Sequence, residues 1–439
     1  MIRILYTFLL YCLLPVILLR LWWRSRHVPT YGQRIKERFG FIPIPTHPID
    51  IWLHAVSVGE VIAALPLIKQ LQQQDPTLTI AMTCMTPTGS QQIIERLGSS
   101  VVHHYLPYDY PMAIKRLLRR WSPKLLIIME TEMWPNLFHY TAKNQIPILL
   151  ANARLSPKSY RGYRWIRYLT RPMLEKLSLL AAQAQADADY YRQLGAPSQK
   201  IVVAGNIKFD LTIPTDLTIR AKQLRCVWGE TRSVWIAAST HTGEEEKILT
   251  AFTQLKSYIP DLLLILVPRH PERFHEVTQL CQTHPWQVAN RSQMKTLTPT
   301  TDIMVGDTMG ELMLLYAASD VAFVGGSLIA HGGHNLLEPA ALKLPVITGP
   351  HTFNFTAIHQ LLTQANALSV VTTPEQLIEN VRQLITDENQ RQTLGTRAWQ
   401  VVRANQGALA QHIQFIQHLL HSPTADFIRH VPHRSRIIN

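Results

Sequence analysis

IDIWLHAVSVGEVIAALPLI, residues 49–68, runs from an apolar stretch with strand character, through a Gly-Glu pair, into an apolar helical pattern. Glu60 is the only carboxylate between Asp50 and Asp75. The same change of pattern returns along the chain. Apolar runs IDIWLHAV, LTIAMTC, SVVHHYLPY, KLLIIME, IPILLANA, LSLLAAQ and KIVVAG alternate with amphipathic stretches such as EVIAALPLIKQLQQQ and SQQIIERLG. Strand–helix alternation at this spacing predicts an α/β protein with a parallel, doubly wound sheet. The pattern pauses at NIKFDLTIPTDLT (206–218), which holds Pro214, and restarts with SVWIAAS, DLLLILVP, DIMVG, DVAFVGG and LPVITG. The expectation is an anchor at 1–26, an N-terminal domain at 27–210, a C-terminal domain at 211–421, and a basic tail at 422–439.

A chain of 439 residues is too long for one ordinary core, which agrees with two domains. With 46% hydrophobic and 17% charged residues it is globular or membrane-associated, and disorder is excluded. A net charge of +13 calls for an anionic partner: nucleic acid, anionic lipid or a phosphorylated small molecule. Cys12, Cys84, Cys226 and Cys281 are far apart and form no C-x-x-C pair. That argues against zinc and against a disulfide framework, and suits a reducing compartment.

The N-terminus narrows the partner. ILYTFLLYCLLPVILL (4–19) carries no charge, and as a helix it reaches roughly 24 Å, short of a hydrocarbon core of about 30 Å. A short tilted span, a re-entrant hairpin bent at Pro15, an interfacial anchor and a buried core helix are the readings open to it. The bulky, basic LRLWWRSRH that follows is no signal-peptide cleavage site. Arg20, Arg24, Arg26, Arg34, Lys36 and Arg38 place the following body on the cytoplasmic side. The expectation is a retained anchor with a cytoplasmic body.

Open α/β sheets bind ligands where strands turn into helices. Polar clusters fall at seven such junctions: HAVSVGE, TCMTPTGSQ, METEMWPN, AASTHTGEEE, VPRHPER, GDTMGEL and FVGGSLIAHGGHNLLEPA. This pattern points to a cleft enzyme. In the C-terminal half, Gly325 and Gly326 follow a strand, and Gly332 and Gly333 are expected to open the helix of NLLEPAALKL, whose N–H groups would face a phosphate. Arg269 and His270 stand one strand away, and Glu338 is placed to bind ribose hydroxyls. Neither G-x-G-x-x-G nor a P-loop is present, which disfavours NAD and ATP hydrolysis. The N-terminal half offers Glu60, Glu130 and Glu132. For Glu60, a helix-dipole charge and a general base are equally good readings, and the helix start favours its ionised form. Lys158, Arg161, Arg164, Arg167 and Arg171 recur at the spacing of one helix face, with Tyr160, Tyr163, Trp165 and Tyr168 between them. With the anchor nearby, this face suits an anionic membrane surface rather than nucleic acid.

HAVSVGE, TPTGSQ, ETEMWPN, ARLSPKSYRGYR, GNIKFD, AASTHTGEEE, LVPRHPERF, DTMGEL, GGHNLLEPAA and GPHTFNF stand in order along nearly the whole chain. In these motifs the chain resembles the 3-deoxy-D-manno-octulosonic acid (Kdo) transferases of lipopolysaccharide assembly, which are GT-B glycosyltransferases. The resemblance implies two Rossmann-like domains with an interdomain cleft, CMP-Kdo as donor, a lipid A precursor (lipid IVA) as acceptor, inversion at the anomeric centre, and neither a cofactor nor a catalytic metal. It makes Glu60 the general base. It assigns Ser239, Arg269, His270, Gly310, Glu311, Gly326, Asn335 and Glu338 to the donor, and Lys208, Glu130 and Ser57 to orienting sugar or acceptor. The chain departs from the pattern at Leu336, where Pro is expected. At Ala330 many GT-B enzymes carry a second acid, so Glu338 stands alone. Of His331 and His334, only His334 fits the motif. A GT-B enzyme using a UDP-sugar and a non-catalytic, membrane-anchored binding protein are the competing readings.

Overall fold

The structure, a computed structural model, describes residues 2–293 and 298–421. The chain divides into two compact units: residues 2–210 with 406–421, and Leu211–Asn405. The basic tail expected at 422–439 lies outside the described residues.

The first unit holds seven parallel strands: β1 (Ile51–His54), β2 (Ile80–Cys84), β3 (Val102–Tyr105), β4 (Leu125–Met129), β5 (Ile148–Ala153), β6 (Leu179–Ala182) and β7 (Ile201–Val203). Their order is 3-2-1-4-5-6-7. Every run quoted from this half is a strand, and the reason lies in the packing. Ile51, Leu53, Leu125, Ile127 and Met129 enter one core, while Trp52, Leu126 and Ile128 enter another on the opposite face. Both faces are covered, so apolar residues run on without alternation.

The second unit repeats the plan with β8 (Val234–Thr240), β9 (Leu263–Pro268), β10 (Val288–Asn290), β11 (Ile303–Val305), β12 (Val321–Val324), β13 (Val346–Thr348) and β14 (Ser369–Val370). All pair in parallel, in the order 10-11-9-8-12-13-14. The two strands that the apolar runs did not reveal, β10 and β14, are short and lie at the sheet's edges, where less side chain is buried.

The strand order reverses between β1 and β4 in the first sheet and between β8 and β12 in the second. Such switch points leave a crevice at the carboxyl ends of the strands. HAVSVGE and METEMWPN follow β1 and β4, while AASTHTGEEE and VGGSLIAHGGH follow β8 and β12. Four of the seven polar junctions thus lie at the two switch points, which no local pattern discloses.

One expectation needs correction, and one of the readings open to the N-terminus falls. The C-terminal domain does not run to residue 421. The helix Ala408–His421 belongs to the first unit, where Ile413, Phe415, Ile416 and Leu419 share a core with Val61, Ala64 and Ile68. The N-terminal segment is also not a hairpin, because one helix, Ile2–His27, continues through Pro15. It is the one helix among the described residues long and apolar enough to cross a membrane. Arg3, Tyr6, Thr7, Leu10, Leu14, Ile17, Leu21 and Ser25 form its more sheltered stripe, at three- and four-residue spacing. Its first turns dock on the body. Arg3 Nη1 donates to Asn136 Oδ1 at 2.7 Å, and Tyr110 Oη donates to the Leu10 carbonyl at 2.9 Å. The outer face leaves Ile4, Leu5, Phe8, Leu13, Val16 and Leu19 exposed.

Candidate active site

Glu60 stands in the first turn of the helix Val58–Gln74, directly after β1. The Val56 N–H donates to its Oε2 at 2.6 Å, and Ser57 Oγ donates to its Oε1 at 3.2 Å. The carboxylate therefore folds back over the turn that precedes its own helix. Burial pushes its pKa up to about 7, helped by Glu130 and Glu132 and opposed by the Val56 and Ser57 hydrogen bonds. The helix start alone favours ionisation, but removal from water beside two other acids outweighs it. The result is a carboxylate half-ionised near neutral pH.

Glu130 follows β4, the neighbour of β1, and takes a left-handed backbone with φ of 57°. Lys208 Nζ lies 3.2 Å from its Oε1. Burial also raises Glu132, against a hydrogen bond from Trp134. Ser57, Glu60, Glu130 and Lys208, read separately from the sequence, thus meet at one switch point. The residues that support Lys208 escaped the sequence reading. Asn152 Oδ1 accepts the Ile207 N–H at 3.1 Å, and the Asn152 N–H donates to His412 Nε2 at 2.9 Å. No local signal in IPILLANA marks that contact.

The basic face is not one helix. It breaks at Ile166 into Pro157–Trp165 and Arg167–Leu174. Lys158, Arg161, Arg164, Arg167 and Arg171 are all exposed, and Arg171 pairs with Glu175 at 2.9 Å. Trp165 is 90% exposed and Tyr168 65%, so these two aromatics also face outward, while Tyr163 packs against the core. Tyr160 instead stacks on Tyr190.

In the second unit the organiser is Glu244, a residue that the sequence reading did not single out. It is fully buried and accepts four backbone N–H groups: His241 (3.1 Å), Gly326 (2.7 Å), Ser327 (3.0 Å) and Leu328 (2.9 Å). The acidic run GEEE after β8 was its one visible sign. The amides of Gly326, Ser327 and Leu328 are thus bound to a carboxylate within the fold. Gly325 is required because a Cβ there would lie 2.7 Å from the Ser239 carbonyl oxygen. Ser239 itself has a left-handed backbone, at a register shift between β8 and β9. Gly332 and Gly333 do not open a helix. Both have positive φ in a loop, and the helix that follows is only Leu337–Ala341.

Arg269 follows β9, its N–H bound to the Thr240 carbonyl at 3.0 Å. Glu338 is pushed up by burial and held down by a 3.0 Å hydrogen bond from Asn335 and by the Arg269 charge, which brings together three residues expected at the donor. His270 is exposed and 3.8 Å from Glu272. Gly310 has φ of 83° and precedes Glu311, whose oxygens are engaged by Arg291 (2.8 Å) and Thr308 (2.6 Å). Glu311 is thus already ion-paired within the fold, and buried Arg291 is a further residue missed.

A family profile described as 3-Deoxy-D-manno-octulosonic-acid transferase (kdotransferase) matches residues 33–211, and one described as Glycosyl transferases group 1 matches residues 244–401. The 3-deoxy-D-manno-octulosonic acid transferase of Haemophilus influenzae is 45% identical over 418 residues, covering 94% of this chain and 98% of that protein. Its namesake from Bordetella pertussis is 35% identical, covering 91% and 95%. Among solved structures, a UDP-GlcNAc 2-epimerase from Neisseria meningitidis shares the fold at a TM-score of 0.55, with 14% identity, covering 84% of this chain and 100% of that one. The chain therefore belongs to the 3-deoxy-D-manno-octulosonic acid (Kdo) transferases, glycosyltransferases of the GT-B class.

Proposed function

We propose that the protein transfers Kdo from CMP-Kdo to a hydroxyl of the lipid A precursor lipid IVA, with inversion, using Glu60 as general base. The observation that carries this reading is the Glu60 carboxylate, held at a switch point with its pKa pushed up to about 7. A base works best when its pKa lies near working pH. Glu60 takes the acceptor hydroxyl proton as the acceptor oxygen bonds to the anomeric carbon. The bond to the CMP phosphate breaks and its electron pair leaves with CMP. Negative charge growing on that phosphate is met by Arg269, and Glu338 with Asn335 holds the ribose. Ser239, His270, Gly310, Glu311 and Gly326 line the donor pocket, while Lys208, Glu130 and Ser57 orient sugar and acceptor.

The N-terminal helix is read as an interfacial anchor on the cytoplasmic side of the inner membrane. Arg3 and Leu10 bind the same body that carries the later chain, so the helix's start does not sit across a bilayer from it. Its exposed apolar face, with the Lys158–Arg171 patch, suits an anionic leaflet holding a phosphorylated amphiphile.

The test is Glu60→Gln, assayed by mass spectrometry of products from CMP-Kdo and lipid IVA. CMP binding should persist while kcat falls by about 10²–10⁴. Unchanged turnover refutes the base, and stabilisation by UDP but not CMP refutes the donor.

A further inference from the structure

Four histidines from three loops meet in the second unit. His241 follows β8, His270 follows β9, and His331 and His334 follow β12. The Nε2 atoms of His241 and His334 are 2.8 Å apart, with nearly parallel rings. His331 packs on His241 at 3.8 Å between centroids, and His270 meets it edge-on at 5.4 Å. Two ring nitrogens this close share one hydrogen, so the pair holds complementary tautomers, one donor and one acceptor. Imidazoles around a tetrahedral zinc, at about 2.0–2.1 Å from it, keep their nitrogens roughly 3.3 Å apart. Among the described residues no three or more His, Cys, Asp or Glu side chains are arranged to hold a metal ion. The contact is a hydrogen bond.

We propose that this cluster is a proton-coupled phosphate clamp, in which binding a nucleoside monophosphate draws one proton from solution into the contact between the phosphate and the His241–His334 pair. The inference rests on the nucleotide assignment proposed above, and adds to it His241 and a proton.

The surroundings set the direction. Arg269 and Arg273 approach from the β9 loop, Glu244 lies beside Gly326, and Glu338 comes from the short helix after His334. Arg273 is held by Glu245 at 2.7 Å and by Glu276 at 3.1 Å, while Glu244 is committed to four amides. Burial, then Arg269 and the neighbouring imidazoles, hold His334 down to about 3. Burial, then His331, His270 and the two arginines, hold His241 down to about 4. The unliganded pair is therefore neutral at pH 7. A phosphate dianion replaces this positive field with negative charge and offers acceptors to the ring N–H. The added proton resides on an imidazole or on the phosphate oxygen facing the acceptor nitrogen. Either way the complex holds one proton more than its separated parts. In glycosyl transfer, the departing phosphate gains this contact as its charge develops.

Titration calorimetry of the full-length protein with CMP, in buffers of different ionisation enthalpy, counts the protons. At about pH 7.5, where a phosphate monoester with a second pKa near 6 is a dianion, uptake of about one proton per CMP is expected. Cytidine should give none. In His241→Asn, which keeps the backbone N–H bound by Glu244, uptake should fall towards zero and the CMP Kd should rise about tenfold, the size of one hydrogen bond to a charged group. Zero uptake in the parent protein, or unchanged uptake in a folded His241→Asn, overturns the clamp. If CMP neither binds nor shifts the thermal midpoint, the nucleotide assignment falls and takes the clamp with it.

Discussion

The His412 Nε2 accepts the backbone N–H of Asn152 at 2.9 Å, joining residues 260 apart in sequence. The other ring nitrogen donates to the Ala408 carbonyl at 2.7 Å, which fixes the neutral tautomer. Asn152 sits at a register shift in β5 with φ of 52°, where a strand partner no longer takes its amide. The C-terminal helix therefore completes the strand that supports Ile207 and, beside it, Lys208.

Burial pushes His412 down to about 4, from an ordinary value of 6.5. A base depressed by folding contributes stability that is present above 6.5 and is lost as pH falls from there towards 4. The shift is worth at most about 3 kcal/mol. His412→Gln keeps an acceptor but no titration. It should cost about 1 kcal/mol at neutral pH and then lose less than the parent protein on acidification. Thermal midpoints at about pH 7.5 and pH 5 test this, and parallel losses in both proteins would count against it.

Glu130 raises the pKa of Glu60, and Lys208 pairs with Glu130. Glu130→Gln should therefore lower the Glu60 pKa and move the acidic limb of the pH–rate profile below 7. Lys208→Met exposes Glu60 to an unpaired Glu130 charge and should move that limb above 7. Opposite shifts, each of about half a unit to one unit, are expected. Shifts in the same direction would show that the limb belongs to another group.

Glu244→Gln keeps the side chain's size but turns an amide NH2 towards backbone N–H donors. Loss of about 3 kcal/mol is expected from the amides left unsatisfied. Since the same amides shape the Gly326 loop, CMP should stop raising the thermal midpoint even at temperatures where the variant stays folded. A variant that keeps full CMP protection would show that the loop holds its shape without Glu244.

Arg161→Glu with Arg164→Glu reverses two exposed charges beside Trp165. Binding to vesicles containing anionic lipid should weaken by about 1 kcal/mol for each cation lost, and added salt should shrink the difference. Turnover on a short-chain, detergent-dispersed acceptor should stay near that of the parent. Equal loss on vesicles and in detergent would place these arginines at the acceptor itself.

Fold class, interior strands and family were legible in the local pattern, because strands buried on both faces must be apolar throughout and the motifs occupy fixed turns. The sequence also named Glu60, Arg269 and Glu338. Which junctions share a switch point was settled only by tertiary pairing, since strand order, and with it the switch points between β1 and β4 and between β8 and β12, follows from sheet pairing and not from local pattern. The same holds for Glu60's charge. A helix start favours its ionised form, but burial beside Glu130 and Glu132, residues of another strand's loop, reverses the balance. Glu244 and His412 stayed hidden for a related reason: each is defined by backbone amides that fold back to it from far along the chain.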